Sequence, residues 1–329
     1  MIVSYDTILK PPYTITSEVL NLVAKISEQI GVIQTAQLDR LTPQLRKRNQ
    51  IKTIHNSLAI EGNGLDEAQV TAILEGKRVL GLEKDILEVK NAIAVYANLH
   101  SLDPINSEDF LRAHKRLMVE LITNPGRYRT RAVGISKGDE IQHFAPPHER
   151  VPFLMKDLFD YLRHSDDHPL IKSAVFHYEL EFIHPFLDGN GRMGRLWHQL
   201  ILANAFPLFQ YLSLETLVRE RQSEYYEALS DSDKLGHSTP MILFSLKIIN
   251  ETLDVLESEK RKHLTGTERL FYFLDNYSAL EFTRKDYMRC FQSISTATAS
   301  RDLKDGVDRE ILEIKGTKNQ SSYRRKTLP

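Results

Sequence analysis

The stretch His184-Pro-Phe-Leu-Asp-Gly-Asn-Gly-Arg-Met-Gly-Arg195 gathers the most specialised chemistry of the chain into twelve positions. Apolar residues spaced by three and four predict a helix from Ser173 to Ile183 before it, and a similar pattern predicts a second helix from Arg195 to Phe206. The stretch is therefore predicted to be a helix–loop–helix junction in a mainly α protein. Asp188-Gly189-Asn190-Gly191 permits positive φ angles at the glycines and at Asn190. Backbone N–H groups can then face one point, where the next helix also presents its N-terminus, which predicts a phosphate site.

The side chains of this stretch suit the same interpretation. Asp188 is a hard oxygen ligand for a Mg²⁺ ion that also holds phosphate oxygens. Arg192 and Arg195 are three residues apart, so they share a helix face and can both reach a polyphosphate. His184 can take a proton from an attacking hydroxyl. Each feature alone is common as a turn, a helix cap or a solvated face, and their conjunction favours the functional interpretation.

The run resembles the Fic family signature HPF-x-[DE]-GNGR-x-x-R, and every specified position is present. The resemblance implies a helical Fic core that binds Mg-ATP and transfers AMP to a hydroxyl of a target protein, which includes the protein itself. It implies that His184 is the catalytic base and that Asp188 is the Mg²⁺ ligand. Doc-type kinases, which are related, have Asn-Lys-Arg where this chain has Asn-Gly-Arg, so Gly191 favours adenylyl transfer. The nucleotide-binding residues implied are Gly189, Asn190, Gly191, Arg192, Met193, Gly194 and Arg195.

The segment from Ser57 to Asn63 is also of interest. It contains the end of the helix that is predicted from Gln44 to Glu61. The apolar stripe of that helix leads to Glu61, and a carboxylate on a packing face is costly without a partner. One interpretation is that Glu61 lies at a frayed, hydrated helix end. The segment from Ser57 to Asn63 is also similar to the inhibitory motif [ST]-x-x-x-E-[GN] of many Fic proteins. That resemblance implies that Glu61 pairs with Arg195 and takes the place of the ATP γ-phosphate.

Two other features lie before the signature. A helix is predicted from Thr16 or Ser17 to about Gly31, followed by a polar linker through Pro43. A short β-hairpin is predicted from the segments Tyr128–Ile135 and Glu140–Phe144, joined by a turn at Lys137-Gly138-Asp139. From sequence alone this hairpin is either a plain surface feature or functional. In Fic proteins such a hairpin is the flap that aligns the target segment, which implies roles for Val133, Gly134 and Ile135.

Composition narrows the class of protein. The chain has 329 residues, a formal net charge of −1 and a single cysteine, so no intrachain disulfide is possible. No apolar run approaches the ~20 residues that span a bilayer. The N-terminus shows no basic segment followed by an apolar core, so we expect neither a signal peptide nor a membrane partner. A cytoplasmic location is the expectation that follows.

The last 65 residues are predicted to form a separate, small winged-helix domain. Helices are predicted over Thr267–Leu274, Arg284–Phe291 and Ser295–Leu303, with strands at Ile311–Ile314 and Ser322–Arg325. The functional interpretation is DNA binding. The alternative is a regulatory or dimerising appendage, which makes a homodimer one possible assembly. Residues 265–329 carry 12 Lys and Arg against 9 Asp and Glu, a weak positive balance for a DNA-binding domain.

The predicted organisation is thus an N-terminal helical region (1–100) with the inhibitory helix, a Fic core (101–255) with its flap, and the winged-helix domain (265–329). The resemblance departs at Gly236–Pro240, where many Fic proteins have a tryptophan near the nucleotide. The only tryptophan here is Trp197. Two alternatives to ATP-dependent adenylylation therefore stay open: a Fic transferase that uses another nucleotide, and a DNA-binding regulator whose core senses nucleotide.

Overall fold

The computed structural model describes residues 10–37, 43–137, 140–277, 279–292, 294–316 and 321–326. The described chain is mainly helical, and it separates into two compact units, Met1–Leu253 and Asp254–Pro329. The mainly α class predicted from the sequence is confirmed. The predicted boundary near residue 100 stays a prediction.

The first unit is built from helices and one short β-hairpin. Its elements are α1 (Ser17–Gln37), α2 (Pro43–Ile60), α3 (Glu67–Leu74), α4 (Glu83–Tyr96), α5 (Ser107–Leu117), β1 (Gly134–Lys137), β2 (Glu140–Phe144), α6 (Val151–His164), α7 (Pro169–Ile183), α8 (Asn190–Ala205), α9 (Leu214–Glu220), α10 (Gln222–Leu235) and the beginning of α11 (Thr239–His263). Short 3₁₀ helices cover Leu99–Ser101, His148–Arg150 and Pro207–Tyr211.

The antiparallel pair α7 and α8 lies at the centre of this unit. The two helices pack closely at Gly194, because a β-carbon there would meet the side chains of Glu181 and His177 at 2.8 Å. An aromatic cluster fills the space beside them, with Phe110 on α5 edge-on to Trp197 at 5.0 Å between ring centroids. The Trp197 indole N–H donates to the carbonyl oxygen of Pro104 at 2.9 Å. Because this ring is completely buried, the one tryptophan of the chain belongs to the core.

The first helix is longer than predicted. It continues through Gly31 to Gln37, whereas the sequence favoured an end near Gly31. Ile30 and Ile33 on either side of that glycine are both buried, and their packing outweighs the ~1 kcal/mol that glycine costs inside a helix. Residues 38–42 of the predicted linker lie outside the described residues.

The hairpin is shorter than predicted. β1 begins at Gly134, so Tyr128–Val133 is not strand, and Val133 precedes the ladder. β1 and β2 pair antiparallel, with Gly134 opposite Phe144 and a register shift after Ile135. The segment before β1 is held by side-chain contacts of Arg129 instead of by a ladder. Gly138 and Asp139 of the predicted turn lie outside the described residues.

The second unit contains three helices and a three-stranded antiparallel sheet. Its elements are α12 (Gly266–Asn276), β3 (Phe282–Thr283), α13 (Arg284–Cys290), α14 (Thr296–Asp308), β4 (Leu312–Lys315) and β5 (Ser322–Arg325), with strand order β3-β5-β4. An apolar core around Phe273, Tyr287 and Leu303 joins them. Asp302 is buried in this core, where it accepts hydrogen bonds from Arg269 and Tyr287. The three helices and the two strands predicted from the sequence lie at these positions.

Two negative findings apply to the described residues. None of their helices is long and apolar enough to cross a bilayer. Nor do they contain a cluster of three or more His, Cys, Asp or Glu side chains placed to hold a metal ion.

Candidate active site

The signature forms a tight loop between the two central helices. Asn190 closes it from both sides, because its Oδ1 accepts from the backbone N–H of Phe186 at 2.9 Å and its Nδ2 donates to the Phe186 carbonyl at 3.0 Å. Within the signature, positive φ occurs at His184 (49°) and Gly189 (88°). The prediction of positive φ at Asn190 and Gly191 is therefore wrong. Both residues lie in the first turn of α8, which begins five residues earlier than predicted.

His184 is fixed through its backbone. It ends α7 in the left-handed conformation, with φ 49° and ψ 60°, which a non-glycine residue seldom adopts. The Arg129 guanidinium spans this turn: its Nε donates to the His184 carbonyl at 2.8 Å, and its Nη2 donates to the carbonyls of Ile183 and Pro146. The backbone N–H of Arg129 also donates to Pro185 at 2.8 Å. Arg129 thus holds the imidazole-bearing residue from the side of the flap segment.

His114 on α5 supports the opposite end of the loop. Its Nδ1 accepts from the Gly126 N–H at 2.9 Å, so Nε2 carries the proton and donates to the Asp188 carbonyl at 3.0 Å. The ring stacks on Phe186 with 3.5 Å between centroids. Burial lowers the pKa of His114 to about 4. A neutral imidazole with one fixed tautomer therefore anchors the carbonyl of Asp188, just before the N-terminus of α8.

The N-terminus of α8 has the features of an anion site. Its N-cap, Gly189, offers no side chain to the first amides of the helix. At least three backbone N–H groups of a helix N-terminus lack intrahelical partners and carry partial positive charge. Asp188 lies beside them, with its Oδ1 accepting from the Gly189 N–H at 2.6 Å.

Arg195 is buried, and its hydrogen bonds go to the end of α2 and to the residue after it. Its side chain is 2% exposed. Nε donates to Ser57 Oγ at 3.1 Å, and Nη2 donates to the Ser57 carbonyl at 2.9 Å and to Glu61 Oε1 at 2.8 Å. Burial alone would lower the pKa of Arg195, but Glu61 reverses that effect and the pKa lies above its usual value. The glutamate and the arginine predicted to pair are therefore in contact.

Glu61 also reaches the first turn of α8. A β-carbon built on Gly191 would clash with Glu61 Oε1. The carboxylate thus lies against the helix N-terminus, where a bound anion would lie. Gly191 is the residue that leaves room for it.

Arg192 has a different set of partners. It is 5% exposed, its Nη1 pairs with Glu88 Oε1 at 3.1 Å, and its Nη2 pairs with Asp188 Oδ1 at 2.9 Å. Glu88 lies on α4 and accepts a further hydrogen bond from Asn63 Nδ2 at 2.9 Å. The segment from Ser57 to Asn63 therefore connects to both signature arginines, directly to Arg195 and through Glu88 to Arg192.

Comparisons with known proteins identify the family. The Fic/DOC family model matches residues 104–202. The crystal structure of a Fic family protein from Desulfovibrio desulfuricans G20 is 41% identical and superposes with a TM-score of 0.73 over 97% of this chain and 99% of that one. The chain belongs to the Fic family.

Two relatives carry a function in their names. Protein adenylyltransferase Fic from Nematostella vectensis is 29% identical over 241 residues, which cover 68% of this chain and 52% of that protein. Protein adenylyltransferase fic-1 from Caenorhabditis elegans is 32% identical over 208 residues, covering 59% and 38%. The chain spans about half or less of the length of these relatives.

Not every predicted site residue of this Fic protein faces the site. Met193 is completely buried, and Gly194 packs against α7, so a nucleotide role for these two concerns their backbone only. Among the flap residues, Val133 is half-buried, while Gly134 and Ile135 lie in β1. His177 on α7 and Tyr225 on α10 are buried core residues, and the distance from His177 Nε2 to the Tyr225 hydroxyl is 3.0 Å.

Sequence reasoning missed two residues of the site. Glu88 lies next to the apolar stripe of α4, and its one signal was a carboxylate beside Val89 on a packing face. His114 is also on a packing face, between Phe110 and Leu117 of α5. A buried polar residue at such a position needs a partner, but periodicity does not say which one.

Proposed function

We propose that this chain is a protein adenylyltransferase that transfers AMP from Mg-ATP to a Ser, Thr or Tyr hydroxyl of a protein, itself included. The observation that carries the proposal is the joining of His184, an uncapped α8 N-terminus and two buried arginines in one twelve-residue turn. The names of the relatives support the same activity.

The reaction requires a base and a place for polyphosphate. The target hydroxyl oxygen forms a bond to the α-phosphorus while the bond from that phosphorus to the bridging oxygen of the β-phosphate breaks. Pyrophosphate leaves, and the hydroxyl proton goes to His184. Little covalent chemistry falls to the protein, so catalysis rests on positioning and on stabilising negative charge.

The tautomer of His184 suits the role of base. Its Nδ1 lies 3.4 Å from the Glu181 carbonyl oxygen, which can only accept. This long contact favours the proton on Nδ1, which makes Nε2 the nitrogen that can accept the hydroxyl proton. The Arg129 contacts to the His184 carbonyl keep the residue in place as the imidazole gains charge.

The donors around the loop fit a Mg²⁺ ion with phosphate ligands. Asp188 is 49% exposed, and one carboxylate is typical of Mg²⁺ that takes its other ligands from phosphates and water. Asp188 would hold the ion, which supplies charge neutralisation at the phosphates. The amides of α8 and the guanidiniums of Arg192 and Arg195 bind the remaining phosphate oxygens.

The contact between Glu61 and Arg195 makes the proposed enzyme autoinhibited. The Glu61 carboxylate neutralises the guanidinium and lies against the N-terminus of α8, so it competes with the γ-phosphate for both. A nucleotide bound beside it would have a displaced γ-phosphate and a misaligned α-phosphate. Ser57 adds two hydrogen bonds that keep Arg195 in this arrangement.

Label transfer from α-³²P-ATP tests the proposal. The assay compares three proteins: wild type, Glu61→Gly, and the double variant Glu61→Gly with His184→Ala. Each is incubated in parallel with α-³²P-ATP and with γ-³²P-ATP, and labelled peptides are identified by mass spectrometry. We expect label from the α-phosphate only, strongest in Glu61→Gly and absent in the double variant. Label from the γ-phosphate would indicate phosphorylation and contradict the proposal. Competition by unlabelled GTP, CTP and UTP decides whether another nucleotide is the better substrate.

The second unit is interpreted here as a winged helix, because its helix and strand order and its β3-β5-β4 sheet fit that topology. We do not extend this to DNA binding. Four basic residues on or beside β4 and β5 pair with acidic side chains: Lys315 with Glu281, Arg324 with Glu313, Arg325 with Asp275 and Lys326 with Glu310. These pairs lower the positive potential that non-specific DNA binding needs.

A further inference from the structure

The end of α2 exposes backbone carbonyl groups that have no partner within the helix. The chain reverses there at Gly62, whose φ is 92°. In this reversal the N–H groups of Gly62 and Asn63 donate to the carbonyls of Ala59 and Leu58 at 3.0 and 3.1 Å, which is the Schellman arrangement. The carbonyl of Ile60, the last residue of α2, takes no part in it.

A side chain from α10 satisfies this remaining carbonyl. Nε2 of Gln222, the first residue of α10, donates to the Ile60 carbonyl oxygen at 3.0 Å. The same nitrogen lies 3.4 Å from the hydroxyl of Tyr226, one turn later. Both hydrogens of the amide nitrogen therefore have an acceptor, and the half-buried Gln222 side chain is oriented towards the end of α2.

Two further contacts fix the first turn of α10, from which Gln222 projects. Tyr225 is buried, and its hydroxyl lies 3.0 Å from Nε2 of His177 on α7. Arg221, which precedes α10, pairs with Glu251 on α11. The backbone at Gln222 is therefore tied to two other helices, so its amide reaches α2 from a fixed point.

The Ile60 carbonyl belongs to the peptide group that leads into Glu61. The N–H of the same peptide group donates to the Leu58 carbonyl at 3.0 Å. Because a peptide group is planar, hydrogen bonds at both of its ends fix its orientation and restrict the direction in which the Glu61 side chain leaves the backbone. That side chain ends at Arg195, whose Nη2 lies 2.8 Å from Glu61 Oε1.

We propose that Gln222 is a positioning residue for autoinhibition: its amide holds the end of α2 so that Glu61 meets Arg195. This regulation rests on the proposed function, because inhibition has a meaning only if the site transfers AMP. Without the Gln222 donor the Ile60–Glu61 peptide group is free to turn. Glu61 then leaves Arg195 more often, and the γ-phosphate takes its place. A single neutral hydrogen bond contributes modestly, so the effect is smaller than that of removing Glu61.

Two substitutions of similar length vary the donor. Gln222→Met removes both hydrogen-bonding groups, and Gln222→Glu offers the Ile60 carbonyl a carboxylate, which can only accept. A carboxylate also favours the N-terminus of α10, so activation by this variant does not come from loss of that helix. Asn49→Leu is the control. Asn49 is also half-buried, and it donates to the carbonyl of Tyr211 from the other half of α2.

The first arm measures α-phosphate labelling. It should rise by roughly 2–10-fold in Gln222→Met, the factor that corresponds to one neutral hydrogen bond, and further in Gln222→Glu. Asn49→Leu should label as wild type does. In the Glu61→Gly background, Gln222→Met should add nothing, because the group that it positions is gone. Unchanged labelling in both Gln222 variants, or an equal rise with and without Glu61, would overturn the proposal.

The second arm measures hydrogen exchange, which needs no AMP transfer. In both Gln222 variants the amides of Glu61, Gly62 and Asn63, followed by NMR, should exchange roughly 2–10-fold faster than in wild type, with no change in Asn49→Leu. Unchanged exchange would show that Gln222 does not hold this helix end. Faster exchange without a rise in labelling, in a protein that Glu61→Gly activates, would also contradict the proposal. If Glu61→Gly transfers no AMP, the proposed function fails, and the exchange rates still decide whether Gln222 positions Glu61.

Discussion

Arg192 and Arg195 are three residues apart on α8, and both are buried against a glutamate from the N-terminal part of the chain, yet the two pairs differ. Glu88 is 7% exposed and has a second hydrogen bond, from Asn63. Glu61 is 32% exposed, and it lies beyond the last residue of α2. The first pair is part of the packed interior, while the carboxylate of the second is partly open to solvent. Under the proposed function, this difference makes Arg195 the arginine whose pairing regulates activity, whereas Arg192 has a structural pairing.

The largest expected effect is the loss of the proposed reaction, in which both arginines would bind phosphate. His184→Ala in the Glu61→Gly background should lower AMP transfer by ~10²–10⁴-fold, because a general base contributes about that much. ATP affinity, measured by calorimetry, should stay within a few-fold, since neither the α8 amides nor Asp188 changes. Retention of the full labelling rate would remove His184 from the mechanism.

Breaking the inner pair, which is Arg192 with Glu88, should lower the free energy of unfolding. Glu88→Ala leaves the Arg192 guanidinium buried with only the half-exposed Asp188 as a counter-charge. Removing one partner of a buried ion pair costs ~3–5 kcal/mol, so urea unfolding should show a loss of this size together with lower labelling. Glu88→Gln, which keeps the hydrogen bond from Asn63, should lose less. A stable, more active Glu88→Ala protein would make the two arginines equivalent and refute the comparison.

Breaking the outer pair, which is Arg195 with Glu61, should instead raise the rate of AMP transfer. Glu61→Gly frees Arg195 and the α8 N-terminus for the γ-phosphate, and a coupling free energy of the usual size gives ~5–150-fold more AMP transfer. The loss of stability should be smaller than for Glu88→Ala, because Ser57 still holds Arg195 and Glu61 is partly solvated. Glu61→Gln tests charge separately from size and should activate less. Equal labelling by wild type and both variants would leave Glu61 as an ordinary helix-end residue.

Asp188 pairs with Arg192 and is also the proposed Mg²⁺ ligand. Asp188→Ala removes the carboxylate proposed to hold Mg²⁺, and it also removes one partner of Arg192. Calorimetry with ATP should show at least ~10-fold less gain in affinity on adding Mg²⁺, as even outer-shell changes at metal sites cost that much. Asp188→Asn keeps the hydrogen bond to Arg192 and separates the two roles. If Mg²⁺ raises ATP affinity as much in both variants as in wild type, Asp188 is not the Mg²⁺ ligand.

The contacts of the site were easier to predict from the sequence than the exact bounds of the helices and strands. The spacing from His184 to Arg195 and the segment from Ser57 to Glu61 predicted a contact between residues 134 positions apart, because both belong to specific motifs. The sequence did not predict the left-handed backbone at His184, because the Arg129 guanidinium that binds the His184 carbonyl comes from a distant part of the chain. Glu88 and His114 were missed for a related reason: their partners lie on other elements, and helical periodicity describes one helix at a time.

The smallest expected effect concerns a carboxyl beside the outer pair. Glu181 on α7 is largely buried and its Oε1 has no hydrogen-bond partner among the described residues. Burial, and then the charge of Glu61, raise the pKa of Glu181 from 4.5 to about 8, against a lowering effect of Arg195. At neutral pH the folded protein therefore keeps this carboxyl protonated, whereas the unfolded chain releases the proton above pH 4.5.

The unfolded state then binds fewer protons than the folded state between pH 4.5 and pH 8, so this group makes stability fall as the pH rises through that window. The limit is ~1.4 kcal/mol per pH unit for one proton. Glu181→Gln should flatten this slope in urea unfolding at pH 5, 6, 7 and 8. Glu61→Gly should reduce it less, because removing the neighbouring charge lowers the pKa of Glu181 without removing its burial. The inner pair predicts no such coupling, so Glu88→Gln should leave the slope as in wild type. Glu88→Gln could instead change the pH dependence of stability as much as Glu61→Gly does. The pKa of Glu181 would then not depend specifically on the charge of Glu61, and the two arginine sites would differ in exposure alone.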